Sequence, residues 1–146
     1  MTSHALEVYL SDHLAGSVAG RDLAARTMPD LMLEIEADQA VLEELMTELG
    51  LHKRHWKGGG GWLAARLAKH KEPNDLIALE TLALGITGKL LLWKALKQVE
   101  DAEPYLKAVD LDHLIERATK QFDDVERERL RRAGQLFGAP VTVHYG

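Results

Sequence analysis

No cysteine occurs anywhere in the 146 residues. That excludes thiolate catalysis, disulfide frameworks and cysteine-ligated zinc together, and it agrees with a reducing compartment. Excess positive charge is missing too: 18 Lys and Arg stand against 23 Asp and Glu, a formal charge of −5. General nucleic-acid binding rests on clustered cations facing phosphates, so nucleic acid is not an expected partner. Met1 to Leu10 holds no basic run ahead of an apolar stretch and does not make a signal-peptide pattern. The most apolar stretch, Leu76 to Leu92, is interrupted by Glu80, Thr81, Thr87 and Lys89, which leaves it too short and too polar for a bilayer span. A cytoplasmic protein with no membrane partner is expected.

Catalytic motifs are lacking as well. The run Gly58-Gly59-Gly60-Gly61 has neither the Gly-Lys-Ser/Thr ending nor the preceding strand of a phosphate loop. Ser3, Ser11 and Ser17 stand outside any nucleophile-elbow sequence. Asp12 and His13 are neighbours in sequence, which on a helix point about 100° apart, so they form no dyad by themselves.

What is present is a pattern of four amphipathic segments in one domain, residues 1–146, long enough to bury a core unaided. The first runs from about Ser3 to Arg26, with a row of Leu6, Leu10, Leu14 and Val18 flanked by Tyr9 and Leu23. The second opens at Thr27-Met28-Pro29-Asp30, where Thr27 can cap, Pro29 suits the first turn and Asp30 complements the helix dipole. Its stripe is Leu31, Ile35, Asp38, Leu42, Leu45 and Leu49, and Gly50 supplies a stop signal. The third, about Asn74 to Glu100, is apolar on most sides, which calls for cover on a second face. The fourth, about Leu111 to Phe137, has Asp110 as N-cap and a row of Leu111, Ile115, Ala118, Phe122, Val125, Leu130, Ala133 and Phe137. Residues 51–72 form a long connection between the second and third segments. Trp62 to Ala68 can make a short crossover helix there, and residues 139–146 read as an extended tail. A long connection lets the third helix lie parallel to the second, giving two antiparallel hairpins.

One acid per segment interrupts the apolar rows: Asp12, Asp38, Glu80 and Glu126. Burying a carboxylate costs several kcal/mol unless it is paired or coordinated. Four such acids converging in a bundle core would suit iron or manganese. The competing account is structural: Asp12 and Asp38 pair with Arg21, Lys89 or Lys94, and no Glu-x-x-His motif marks a two-metal site, because Glu126-x-x-Arg129 puts a cation where a ligand belongs. His52, His55 and His70 flank the crossover at zinc-compatible positions, but the His52 to Lys57 stretch also fits a solvated basic loop. Arg127, Arg129, Arg131 and Arg132 alternate with Glu126 and Glu128, as on a solvated helix face. Gly16, Gly20, Gly85 and Gly88 thin two helices, for which close packing is the favoured explanation over room for an apolar ligand.

The arrangement resembles the ferritin-like superfamily of four-helix bundles. Tyr9-Leu10-Ser11-Asp12-His13-Leu14-Ala15-Gly16, with Leu82-Ala83-Leu84-Gly85-Ile86-Thr87-Gly88-Lys89, is similar to a group of small bacterial proteins of about this length. The resemblance implies an all-α ferritin-like bundle and, for that superfamily in general, di-iron chemistry, iron storage or stress protection. The resulting expectation is a non-catalytic helical protein without a cofactor, acting through protein contacts as a homodimer. The alternative is a carboxylate-rich metal-binding bundle using iron or manganese in an oxidoreductase, iron-handling or stress-protection role.

Overall fold

A computed structural model describes residues 4–51 and 75–138. All its regular structure is helical among these residues: α1 (His4–Thr27), α2 (Pro29–Glu48), α3 (Asp75–Gln98), a 3-10 turn (Pro104–Ala108) and α4 (Leu111–Leu136). The expected crossover helix, the tetraglycine run, the histidine-bearing basic loop and the tail 139–146 lie outside the described residues.

Helix directions follow from which residues share a core. One apolar cluster joins Leu10 and Leu14, early in α1, to Leu42, Leu45 and Met46, late in α2. The same cluster holds Leu92, Trp93 and Leu96, late in α3, and Leu111, Leu114 and Ala118, early in α4, with Leu106 of the 3-10 turn closing that end. A second cluster joins Leu23 and Ala24 of α1 to Leu31 and Ile35 of α2, Ala78 to Ile86 of α3, and Val125 of α4. Each helix therefore runs against its chain neighbour except across the long connection, where α2 and α3 point the same way. Backbone packing is extensive between α1 and α2, α1 and α3, and α3 and α4. The α2–α4 edge is spanned instead by long side chains described below.

Local chemistry sets the ends. Met28, not Thr27, is the N-cap of α2; the Thr27 hydroxyl instead donates back to the Leu23 carbonyl at 2.7 Å. Pro29 begins the helix, where its missing N–H is no loss. At the other end Gly50 takes φ +70°, with Leu51 N–H bonded to Met46 O and Gly50 N–H to Thr47 O. This paired closure needs a left-handed residue, which glycine accepts without strain. Asp110 caps α4 as expected, its carboxylate accepting from the His113 N–H at 3.0 Å.

Packing corrects several expected core positions. On α2 the stripe from Leu31 to Leu45 is buried, Asp38 included. On α4 the buried row is Leu111, Leu114, Ala118, Gln121 and Val125, one step around the helix from Ile115 and Phe122. Phe137 and Val18, both expected inside, are exposed. The third helix, Asp75–Gln98, lies within the segment expected from about Asn74 to Glu100. Its stretch Leu76–Gln98, at 23 residues and mean hydropathy 1.6, is long and apolar enough to cross a membrane by length and composition, unlike the shorter Leu76 to Leu92 run considered above, and its inner side belongs to both core clusters.

Beyond Val125 no residue of α4 is buried, and this half carries ion pairs within the helix. Glu126 accepts from Arg129, and Glu128 accepts from both Arg131 and Arg132. Bonds from Arg131, backed by Arg132, outweigh the opposing effect of burial and pull the Glu128 carboxyl from 4.5 down to about 2. A carboxyl lowered on folding contributes stability that is complete above its unfolded pKa and disappears as pH falls through the folded value. Urea unfolding between pH 5 and 2 should therefore show a steeper acid loss for the wild type than for Glu128→Gln, with the two converging toward pH 2.

Candidate functional site

Between the two apolar clusters lies a polar layer centred on Asp38, whose side chain is 3% exposed. Lys89 from α3 donates to Asp38 Oδ2 at 2.6 Å. Arg117 from α4 donates through Nε to Oδ1 at 3.0 Å and through its terminal nitrogen to the same oxygen. Gln121, fully buried on α4, accepts from Lys89 and points its amide N–H groups at Glu34 (3.3 Å) and Asp38 (3.4 Å). Three helices thus meet through one carboxylate. The layer also spans the α2–α4 edge, because Arg117 and Gln121 reach from α4 to acids on α2.

The electrostatics are uneven. Burial pushes the Lys89 ammonium below its ordinary pKa, and this outweighs the charge and hydrogen bond of Asp38, which act the other way. The charged lysine is under-solvated where it sits. An ammonium has three N–H donors; Lys89 uses two, on Asp38 and Gln121, and has no third acceptor among the described residues. Three buried polar atoms, Trp93 Nε1, Gln39 Oε1 and Ser11 Oγ, lack hydrogen-bond partners among those residues.

These groups border a cleft of about 450 Å³ between α1 and α3 that reaches down to α2. Its apolar surface comes from residues such as Ile35, Leu42, Leu82 and Trp93, and its polar surface from Asp12, His13, Ser17, Gln39 and Lys89. Gly16, Gly20, Gly85 and Gly88 all line it. A Cβ built on any of the four meets nothing within 4 Å among the described residues. Among the described residues nothing packs closely on these four positions, although Gly20 is itself buried. Each mid-helix glycine costs roughly 1 kcal/mol relative to alanine. On α1, His13 stacks edge-on against Tyr9 with ring centroids 4.8 Å apart. Burial lowers the His13 pKa against the raising effect of Asp12, which favours a neutral ring beside the cleft.

The four acids considered as metal ligands are dispersed. Asp38 is engaged by two cations in the core. Glu80 and Glu126 share Arg129, at 3.8 and 2.6 Å, on the outer side of α3 and α4. Asp12 is exposed at the cleft, and Arg21, one of the partners considered for it, pairs with Asp22. Among the described residues no three His, Asp or Glu side chains group so as to hold an ion. The Asp38–Lys89 pair was one of the structural pairings open from sequence. Arg117 and Gln121 were not foreseen, although Gln121 continues the Leu114, Ala118, Val125 spacing and could have been found by phasing α4 on Leu114. A second cavity, about 470 Å³, lies on the α2–α4 edge near the 3-10 turn, between Glu44, Glu48, Tyr105 and His113. No family model, curated protein or solved structure matches the chain.

Two stability measurements test this layer and the cleft walls. Asp38→Ala leaves Lys89 and Arg117 buried without their acid and should lose about 3–5 kcal/mol in urea unfolding. Pairing it with Lys89→Met should cost less than the sum of the two single changes. Gly16→Ala should instead raise stability by roughly 0.5–1 kcal/mol, since helix propensity improves and no atom of the described residues lies within 4 Å of the added methyl.

Proposed function

We propose that this chain is a ferritin-like four-helix protein that is non-catalytic and acts through protein contacts as a homodimer. The ferritin-like part is supported by two antiparallel hairpins whose second and third helices run the same way, which requires a long connection of the kind a crossover helix would occupy. The non-catalytic part is supported by the state of the acids and bases. Asp38 carries two cations, Glu80 and Glu126 lie against Arg129, and burial favours the neutral ring of His13.

The observation that carries the contact reading is on α3. Leu84 and Leu91, seven residues apart and hence on one face, remain 44% and 59% exposed on the most apolar helix of the chain. Apolar side chains aligned on a helix face are the usual material of a partner surface. A second copy offers the same stripe, and two such stripes can cover each other about a two-fold axis.

Light scattering on size-exclusion peaks at micromolar concentration should give twice the 16.3 kDa chain mass. Leu91→Asp should shift the species to that of one chain with unchanged far-ultraviolet circular dichroism. A wild-type protein that stays strictly monomeric throughout would reject the dimer.

A further inference from the structure

We propose that the cleft between α1 and α3 is a binding site for a small, neutral, mostly apolar molecule bearing a hydrogen-bond acceptor oxygen, such as a ketone. The proposal goes beyond the protein-contact reading and does not require it, and Leu84 of the exposed α3 stripe also lines the cleft. Its volume, about 450 Å³, falls within the range of small-molecule sites, and its walls are mostly apolar with a few polar groups at one end. Glycines stand on both walls, and no atom of the described residues lies within 4 Å of a Cβ added to any of them. Independently of those glycines, a lining side chain holds a buried donor with no acceptor among the described residues. Trp93, 1% exposed, forms part of the wall with its indole N–H unpartnered there, close to the Lys89 ammonium that Asp38 and Gln121 hold. A buried donor without an acceptor is destabilising, and an acceptor oxygen brought by a ligand relieves that.

The charge of the ligand follows from what surrounds this donor. Lys89 and Arg117 are already matched by Asp38 and by Glu34, whose charge also acts on Lys89, and Asp12 adds a further negative charge beside the cleft. A carboxylate entering here would find no cation left over and would be repelled by Asp12. An oxygen without charge supplies the missing acceptor and adds no buried ion. Apolar bulk then fills the space beside Leu82, Ile35 and Leu42.

The test uses three probes of one shape: acetophenone, ethylbenzene and benzoate. Tryptophan indole N–H signals are followed in ¹⁵N-correlation spectra, with Trp93 assigned by Trp93→Phe. Saturable binding of acetophenone that moves the Trp93 indole signal is expected, on the order of fivefold tighter than ethylbenzene, the share of one net hydrogen bond. Benzoate should bind more weakly than acetophenone. Gly16→Leu and Gly88→Leu, each checked for retained helicity, should weaken acetophenone by at least about tenfold as the wall closes, with the milder Gly88→Ala as a control for folding. Leu91→Asp should bind acetophenone as the wild type does, whatever its oligomeric state. Absence of saturable binding, equal binding of all three probes, or indifference to both leucine variants would overturn the proposal. So would loss of binding in Leu91→Asp, because the space would then belong to a second copy.

Discussion

The carboxylate of Asp38 sits halfway along the bundle, where two apolar clusters meet, and takes a cation from each of two other helices. An ion in that position costs several kcal/mol to desolvate, and only the close pairing with Lys89 and Arg117 makes it tolerable. Apolar packing at either end is non-directional and would accept small shifts of one helix along another. The polar layer would not. Moving α3 or α4 by one turn, about 5.4 Å, would part the cations from their acid and leave all three charges buried. Register between α2 and its two partners is therefore set here, and the apolar clusters add most of the binding energy around it.

The same layer makes the cleft possible. Lys89 is anchored by Asp38 and Gln121 on one side, while the glycines of α1 and α3 remove bulk on the other. The result is a basic group, held by two hydrogen bonds, beside a mostly apolar cleft.

Much of the helical layout could be inferred from residues. Helix α2 was legible because Pro29, Gly50 and a three-and-four spaced stripe agree, and Asp38 stood out as the one acid inside that stripe. The common direction of α2 and α3 followed from the length of the chain between them. Other features were hidden for physical reasons. The phase of α4 was misjudged because Gln121 occupies a core position that a count of apolar residues passes over, while Phe122 beside it attracts the eye. The glycines could not be interpreted from sequence, since a missing side chain means contact or vacancy according to how far apart larger neighbours hold the backbones. Arg117 as a partner of Asp38 was equally hidden, because 79 residues separate them and only the α4 phase brings them together.

Asp38 and Glu34 both lie on the α1–α2 hairpin, whereas Lys89, Arg117 and Gln121 all come from the α3–α4 hairpin. The halves of the molecule are thus keyed like opposite poles. Two copies of the first hairpin pressed together would confront acid with acid, and two of the second would confront cation with cation. During folding, or when several chains are crowded together, this distribution selects against mismatched assembly of like halves and leaves the complementary pairing as the one that buries no unbalanced charge.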